Sequence, residues 1–194
     1  MRITSMKIMG ALMAWMAGTA AHAGDPQQKV TVYLQGRAYI QPEVRIPAKA
    51  LAGRMFAKIG ICLDWGKGEP AGGSSQPPIF IDLVRETPES RMPGVLAYAL
   101  PYEGAHITVF FDRIEKGYYP STLLAHVMVH EITHLLQGVG RHSDAGVMKA
   151  RWIGEDYSGM RIAPLPFIQE DVDLIYLGLA HRAAKTGAAV AGRE

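Results

Sequence analysis

Short segments in which apolar and polar residues alternate are the first regular feature of the chain. After Lys29, Val30, Val32 and Leu34 alternate with polar neighbours, a pattern typical of a half-buried β-strand. Short apolar segments bounded by glycine, proline or charged residues predict three further strands. They lie at Ile61–Trp65, Pro78–Glu86 and His106–Ile114.

Three longer segments carry apolar residues at the spacing of an amphipathic helix. They cover about Val44–Ile59, Pro120–Gly138 and Pro166–Ala184. The stretches 66–78 and 87–105 are rich in glycine and proline and are predicted to be loops. The resulting order is strand, helix, three strands, long helix, loop and helix, which indicates a single α/β domain.

The first 23 residues have the features of a signal peptide. Arg2 and Lys7 precede an apolar run, and Ala21 and Ala23 form a small-residue signal for cleavage before Gly24. An apolar run of about 13 residues is too short for a stable membrane anchor. We therefore expect an exported protein, periplasmic or extracellular, with a folded domain over 24–185 and a flexible tail over 186–194.

The expected mature chain carries no net charge. Arg2 and Lys7 account for the formal charge of +2, and residues 24–194 contain 18 basic and 18 acidic residues. No run of lysine or arginine indicates a nucleic-acid or anionic-membrane surface, so neither partner is expected. The single cysteine, Cys62, cannot form an internal disulfide, so stability must come from core packing and from any bound metal.

The segment VHEITHLLQGVGRHSDAGVMKARW, from Val129 to Trp152, contains an H-E-x-x-H motif within the predicted long helix. Residues four apart on a helix differ by about 40° in direction, so His130 and His134 can bind one zinc ion together. Glu131 follows the first histidine and can reach a water on that metal without being a ligand. This arrangement is typical of a metallohydrolase, in which the carboxylate acts as general base and acid.

A third ligand is expected from outside the helix, because catalytic zinc usually has three protein ligands and one open position. Gly138 and Gly140 let the chain reverse after the helix, which places His142 within reach of the same metal. Beyond another turn at Gly146, Met148 supplies an apolar thioether that could pack beneath the histidines.

These residues resemble the metzincin clan of zinc metallopeptidases, and the matrixin branch above all. The resemblance rests on the HExxH motif, the glycine, the third histidine and the methionine that follows. PGVLAYALPYEGAHITVFFD and QEDVDLIYLGL are also similar to matrixin segments. The spacings depart from the family, because Gly138 and His142 lie farther from His134 than their counterparts do, which weakens the assignment of His142 more than that of His130 and His134.

The resemblance implies a zincin-like domain over 24–185. Such a domain has a twisted, mostly parallel sheet of about four strands with an antiparallel edge strand, packed on a long active-site helix and a C-terminal helix. It implies His130, His134 and His142 as zinc ligands, Glu131 as general base and acid, and Met148 as the methionine of the turn. We expect one catalytic zinc ion, a monomer, and a protein or peptide substrate bound in extended form along an edge strand around Val109–Asp112.

Alternatives remain for the third ligand and for the activity. Glu155 lies at a spacing similar to that of the third ligand in gluzincins, although its surroundings predict a loop. His126 is too far along the helix axis to join His130 and His134 at one ion. The function predicted from the sequence is an exported zinc endopeptidase, and the alternatives are a gluzincin-like peptidase and an inactive zinc-containing binding module.

Overall fold

The computed structural model of the chain describes residues 28–36, 38–68, 76–90, 93–102 and 105–191, the last six of these by their backbone alone. The predicted signal peptide lies outside the described residues. Ten elements follow one another along the described chain. They are β1 (Gln28–Gln35), α1 (Pro42–Ala57), β2 (Ile61–Trp65), β3 (Ile79–Val84), β4 (Ala97–Ala99), β5 (His106–Phe110), α2 (Phe111–Ile114), α3 (Pro120–Gln137), α4 (Gly154–Gly159) and α5 (Gln169–Ala191).

The strands form one five-stranded sheet in the order β2-β1-β3-β5-β4. Strands β2, β1, β3 and β5 run parallel, and β4 pairs antiparallel with β5 at one edge. Strand β3 buries Ile79, Ile81 and Leu83 and leaves the residues between them half-buried, as its alternation predicts. The predicted α/β fold with a mostly parallel sheet and an antiparallel edge strand is confirmed, with β4 as an additional fifth strand.

The edge strand is β4, so the prediction of an edge strand around Val109–Asp112 is wrong. Val109 belongs to β5, which lies between β3 and β4 inside the sheet. Asp112 is part of the short helix α2 and not of a strand. The apolar run after His106 predicts one long strand because periodicity alone does not separate a buried strand from a following buried helical turn.

Helix α3 runs through the centre of the domain. Every residue from Leu124 to Gln137 is buried, because α1 packs on this helix from one side and α5 from another. The helix therefore carries apolar residues around most of its circumference, as expected of a helix enclosed on several sides. Its motif residues lie in the core of the protein with their polar groups held in fixed directions.

The two later helices differ from the sequence predictions. Residues 154–159, which were predicted to be a loop, form α4, whose N-terminal turn is closed by the carboxylate of Asp156 accepting from the Ile153 N–H at 2.8 Å. Helix α5 begins after the predicted Pro166 and continues past Ala184 to Ala191. Residues 186–191 of the predicted tail are thus helical. Within the described residues, no helix combines the length and apolar character that crossing a membrane requires.

Candidate metal centre

His130 and His134 project from adjacent turns of α3 and lie face to edge, with ring centroids 4.7 Å apart. Each ring uses Nδ1 to contact a main-chain carbonyl from the segment after the helix. His130 Nδ1 lies 2.9 Å from the oxygen of Val147, and His134 Nδ1 lies 3.2 Å from the oxygen of Val139. A carbonyl oxygen only accepts, so both Nδ1 atoms must carry the hydrogen.

Because the hydrogen of each neutral ring is on Nδ1, the Nε2 atoms of His130 and His134 carry none. Burial lowers the pKa of His130 to about 3 and also lowers that of His134, so both rings are neutral near pH 7. Their Nε2 atoms, which lie 3.1 Å apart, then carry lone pairs and no proton. A cation shared between the two nitrogens removes this repulsion, so the pair fits a metal ion better than it fits an empty core.

His142 completes a group of three imidazoles. Helix α3 ends at Gly138, whose φ of 70° reverses the chain, and the following loop brings the His142 ring to 5.2 Å from His130 and 4.9 Å from His134, between centroids. One nitrogen from each ring lies within 4.8 Å of the others. Tetrahedral zinc with nitrogens at 2.0–2.1 Å places them roughly 3.3 Å apart, so small ring rotations suffice to bind it.

Glu131 is buried beside this group, with 8% of its surface exposed. Burial raises the pKa of its carboxyl to about 8, and a hydrogen bond from the main-chain N–H of Ala99 acts in the opposite direction. Because Ala99 belongs to β4, the carboxylate links the central helix to the edge strand. A metal cation beside the carboxylate would favour its ionised form and lower this pKa.

Met148 is fully buried in a tight turn after the third histidine. The Ser143 N–H donates to the Met148 carbonyl at 2.8 Å, and Gly146 adopts a φ of 74° within the turn. A Cβ on Gly146 would lie 2.2 Å from the carbonyl oxygen of Pro166, so a side chain is excluded there. The same turn presents the Val147 carbonyl to His130 and so fixes that ring.

His130, Glu131 and His142 line a cleft of about 590 Å³. One wall is the segment 93–97 leading into β4, and the opposite wall is the segment 149–152. Trp152 packs edge-on against His130, with ring centroids 5.7 Å apart. Sequence reasoning did not identify Trp152, because no local pattern marks a tryptophan that contacts a histidine 22 positions earlier.

Two other candidate residues lie apart from the three-histidine group. His126 is buried, with Nδ1 2.8 Å from the Thr122 carbonyl and Nε2 accepting from the Leu165 N–H at 3.1 Å. It therefore joins the helix to the segment before α5. Glu155 is exposed in the first turn of α4, and the group of potential ligands found among the described residues contains His142 and not Glu155.

A second set of site residues was also missed from the sequence. The carboxylate of Asp171, at the start of α5, accepts from Arg141 at 3.1 Å and from Ser143 at 2.6 Å. These partners lie 30 and 28 positions earlier in the chain, so no local spacing connects them. The sequence alone shows acidic residues in the first turn of α5 but not the residues that contact them.

Comparisons with known proteins give little further information. No model of a known protein family matches the chain, and no curated protein sequence matches it either. Among solved structures, the chain is similar to the crystal structure of archaemetzincin from Methanopyrus kandleri, with a TM-score of 0.48 and 12% sequence identity. The match covers 79% of this chain and 96% of that one. At this level the likeness identifies neither a family nor an activity.

Proposed function

We propose that the protein is an exported, zinc-dependent endopeptidase of metzincin type. The observation that carries the proposal is the convergence of three imidazole nitrogens within 4.8 Å, beside the buried carboxyl of Glu131, in an open cleft. Imidazole nitrogens suit zinc, and three protein ligands with one open position are typical of catalytic zinc. His130, His134 and His142 are the proposed ligands of one ion, and Met148 is the proposed turn methionine.

Glu131 is the proposed general base and general acid. When bound, zinc would lower the pKa of a water molecule toward about 7 and polarise the peptide carbonyl. The Glu131 carboxylate would take the proton of the attacking water and pass it to the leaving amine. Its hydrogen bond from Ala99 restricts the carboxylate to the cleft wall, and burial favours uptake of the proton.

The proposed substrate is a protein or peptide held in extended form along β4. Leu96 O accepts from the Phe110 N–H, and the Leu100 N–H donates to His106 O, so residues 96, 98 and 100 direct their main-chain groups towards β5. In an antiparallel pair the residues between them face the other way. Ala97 therefore presents its main-chain N–H and carbonyl to the free edge and lines the cleft, whereas Ala99 presents its carbonyl, since its N–H already donates to Glu131. An extended peptide could pair there by strand addition.

Export is proposed from the N-terminal sequence, with its basic start, apolar run and small-residue cleavage signal. The balanced charge of residues 24–194 agrees with a neutral peptide-binding protein that has neither a nucleic-acid nor an anionic-membrane partner. We propose a monomer with one catalytic zinc ion.

The activity is tested by incubating purified protein with casein and a peptide library, with and without a chelator. We expect hydrolysis that the chelator abolishes and added zinc restores. Glu131→Gln should reduce the rate by about 100-fold or more while zinc binding persists, because only the proton-transfer group is lost. Glu155→Gln is the matched control, since Glu155 is exposed and does not line the cleft, and it should retain full activity.

Two results would contradict the proposal, the first its peptidase activity and the second its metzincin-type ligand set. Zinc-bound wild type that hydrolyses nothing would favour a binding module that keeps the metal as a scaffold. Loss of bound zinc in Glu155→Ala, with full zinc content in His142→Ala, would assign the third ligand to Glu155 and favour the gluzincin-like arrangement.

A further inference from the structure

The three histidines differ in how their rings are held. His130 and His134 lie on a buried helix, and each has its Nδ1 on a main-chain carbonyl. His142 is exposed, lies in a loop, and within the described residues makes no side-chain hydrogen bond of its own. Its position must therefore be fixed through the main chain on either side of it.

The loop that carries His142 contains two glycines, so ordering it costs more conformational entropy than ordering a loop without them. Gly138 and Gly140 lie between the end of α3 and His142, and glycine loses more backbone freedom on ordering than any other residue. Val139, which lies between Gly138 and Gly140, is exposed and adds little packing. A loop of this composition needs an external attachment to hold a ligand in one place.

The attachment is provided by residues that directly flank His142. Arg141 donates from Nη1 to the Asp171 carboxylate at 3.1 Å and from Nη2 to Glu170 at 2.6 Å. Ser143 donates to the same Asp171 oxygen at 2.6 Å. Both neighbours of His142 are thereby tied to the first turn of α5.

Asp171 is itself firmly fixed. Its side chain is fully buried, its second oxygen lies 3.4 Å from the Ile168 N–H, and its main-chain carbonyl accepts from Gln137 at the end of α3. A buried carboxylate with an arginine and a hydroxyl donor is a strong, directional attachment, since hydrogen bonds to charged groups are shorter and stronger than neutral ones. Arg141 is 30% exposed at its side chain, so it can be substituted with less disturbance of the core than the buried Asp171.

We propose that Arg141 is a positioning residue that sets the metal affinity of the site by holding His142 in place through Asp171 and Glu170. The inference rests on the proposed ligand set and adds a determinant of affinity outside it. Partners that orient a metal ligand typically contribute 10- to 100-fold to metal affinity. We therefore expect Arg141→Ala to weaken zinc binding by about 10- to 100-fold.

The test is a double-mutant cycle on zinc affinity, measured by competition with a chromogenic chelator in wild type, Arg141→Ala, His142→Ala and the double variant. If Arg141 acts through His142, its substitution weakens zinc binding in the wild-type background and has no effect in the His142→Ala background. Arg141→Lys should restore only part of the affinity, because an ammonium group cannot reproduce the fixed fork of the guanidinium.

Arg85→Ala is the matched control for loss of an arginine ion pair. Arg85 pairs with Glu115 at 3.1 Å and does not line the cleft, so its removal should leave zinc affinity unchanged. Melting temperatures of the metal-free proteins complete the experiment. A purely structural role would lower the melting temperature of Arg141→Ala without changing its zinc affinity.

The outcomes separate this inference from the proposed activity. Unchanged zinc affinity in Arg141→Ala, or an equal loss in both backgrounds, overturns the positioning role and leaves the peptidase proposal intact. If the double-mutant cycle shows the expected coupling but the protein cleaves no peptide, the positioning role is supported and the peptidase is rejected. Wild type that binds no zinc rejects both.

Discussion

The Nε2 atoms of His130 and His134 lie 3.1 Å apart, although neither carries a hydrogen that could join them. Both rings have their hydrogen on Nδ1, where a main-chain carbonyl accepts it. The folded protein therefore holds two lone pairs close together in its interior, an arrangement that is unfavourable without a cation. A metal ion bound by both Nε2 atoms would therefore also stabilise the folded protein.

Zinc should accordingly raise the melting temperature. A ligand at 100 times its dissociation constant stabilises the folded state by about 2.7 kcal/mol, which for a domain of this size corresponds to roughly 5–10 °C. Differential scanning calorimetry of chelator-treated protein, with and without zinc, measures the shift. Magnesium, which prefers oxygen ligands, is the control ion and should have little effect. Identical melting temperatures with and without zinc would contradict a metal site at these histidines.

The metal-free protein should be most stable in mildly acidic solution. The pKa of His130 falls from 6.5 to about 3 on folding, so the unfolded state binds the extra proton and stability decreases as pH is lowered through this range. The pKa of Glu131 rises from 4.5 to about 8, so the folded state keeps a proton that the unfolded state has lost. That second effect makes stability decrease as pH rises from 4.5 to about 8.

Glu131→Gln isolates the second effect. The variant cannot ionise at this position, so its metal-free form should gain stability relative to wild type as pH rises from 5 to about 8, by at most about 1.4 kcal/mol per pH unit. Urea unfolding of both metal-free proteins between pH 5 and pH 8 provides the comparison. Parallel stability curves would show that Glu131 does not take up its proton on folding.

Substrate pairing at β4 predicts an alternating response to backbone modification of the peptide. In an extended peptide, successive N–H groups point in opposite directions, so only every second one can reach the free edge at Ala97 and Ala99. Methylation of those nitrogens should lower kcat/KM by about 2- to 10-fold, because each methyl group removes one hydrogen bond worth about 0.5–1.5 kcal/mol. Methylation of the intervening nitrogens serves as the control. A uniform loss at all positions would argue against strand addition.

Substitution of two helical glycines by alanine should change the stability of the fold in opposite directions. A Cβ on Gly178 of α5 would lie 1.8 Å from the carbonyl oxygen of Leu136 on α3, so the helices would have to separate. Gly178→Ala should therefore destabilise the fold by about 1–3 kcal/mol. Gly53 of α1 has no neighbour within 4 Å of the corresponding position, and Gly53→Ala should stabilise by about 0.5–1 kcal/mol. Chemical denaturation measures both, and equal shifts would contradict the close contact of α5 with α3.

The sequence predicts the long elements well because their periodicity extends over several turns or residue pairs. The long helix, its end at Gly138 and the return of the chain towards His142 all follow from local composition and glycine conformation. Strand β4 has only three residues between glycine- and proline-containing segments, too few for an alternating pattern to emerge. It can be assigned as a strand only from its pairing with β5, and the neighbouring residues in the sequence give no information about that contact.

The residues of the candidate site also differ in how far the sequence predicts them. His130 and His134 lie four residues apart on one helix, so spacing alone predicts their common direction, and Glu131 is recognised from its place directly after the first histidine. Asp171 and Trp152 join the site only through tertiary packing, and their partners are far away in the chain. The sequence could therefore predict which histidines lie together but not the contacts that hold them.

The attachment of His142 to α5 has a consequence for biosynthesis. If Arg141 and Ser143 hold this ring as proposed, the metal site is completed only when α5, which begins 27 residues after His142, has been synthesised and has docked. A nascent chain that still lacks α5 would contain the two helical histidines and Glu131, and on the proposed ligand set it would bind zinc weakly. The proposed peptidase activity would then appear only after α5 has docked.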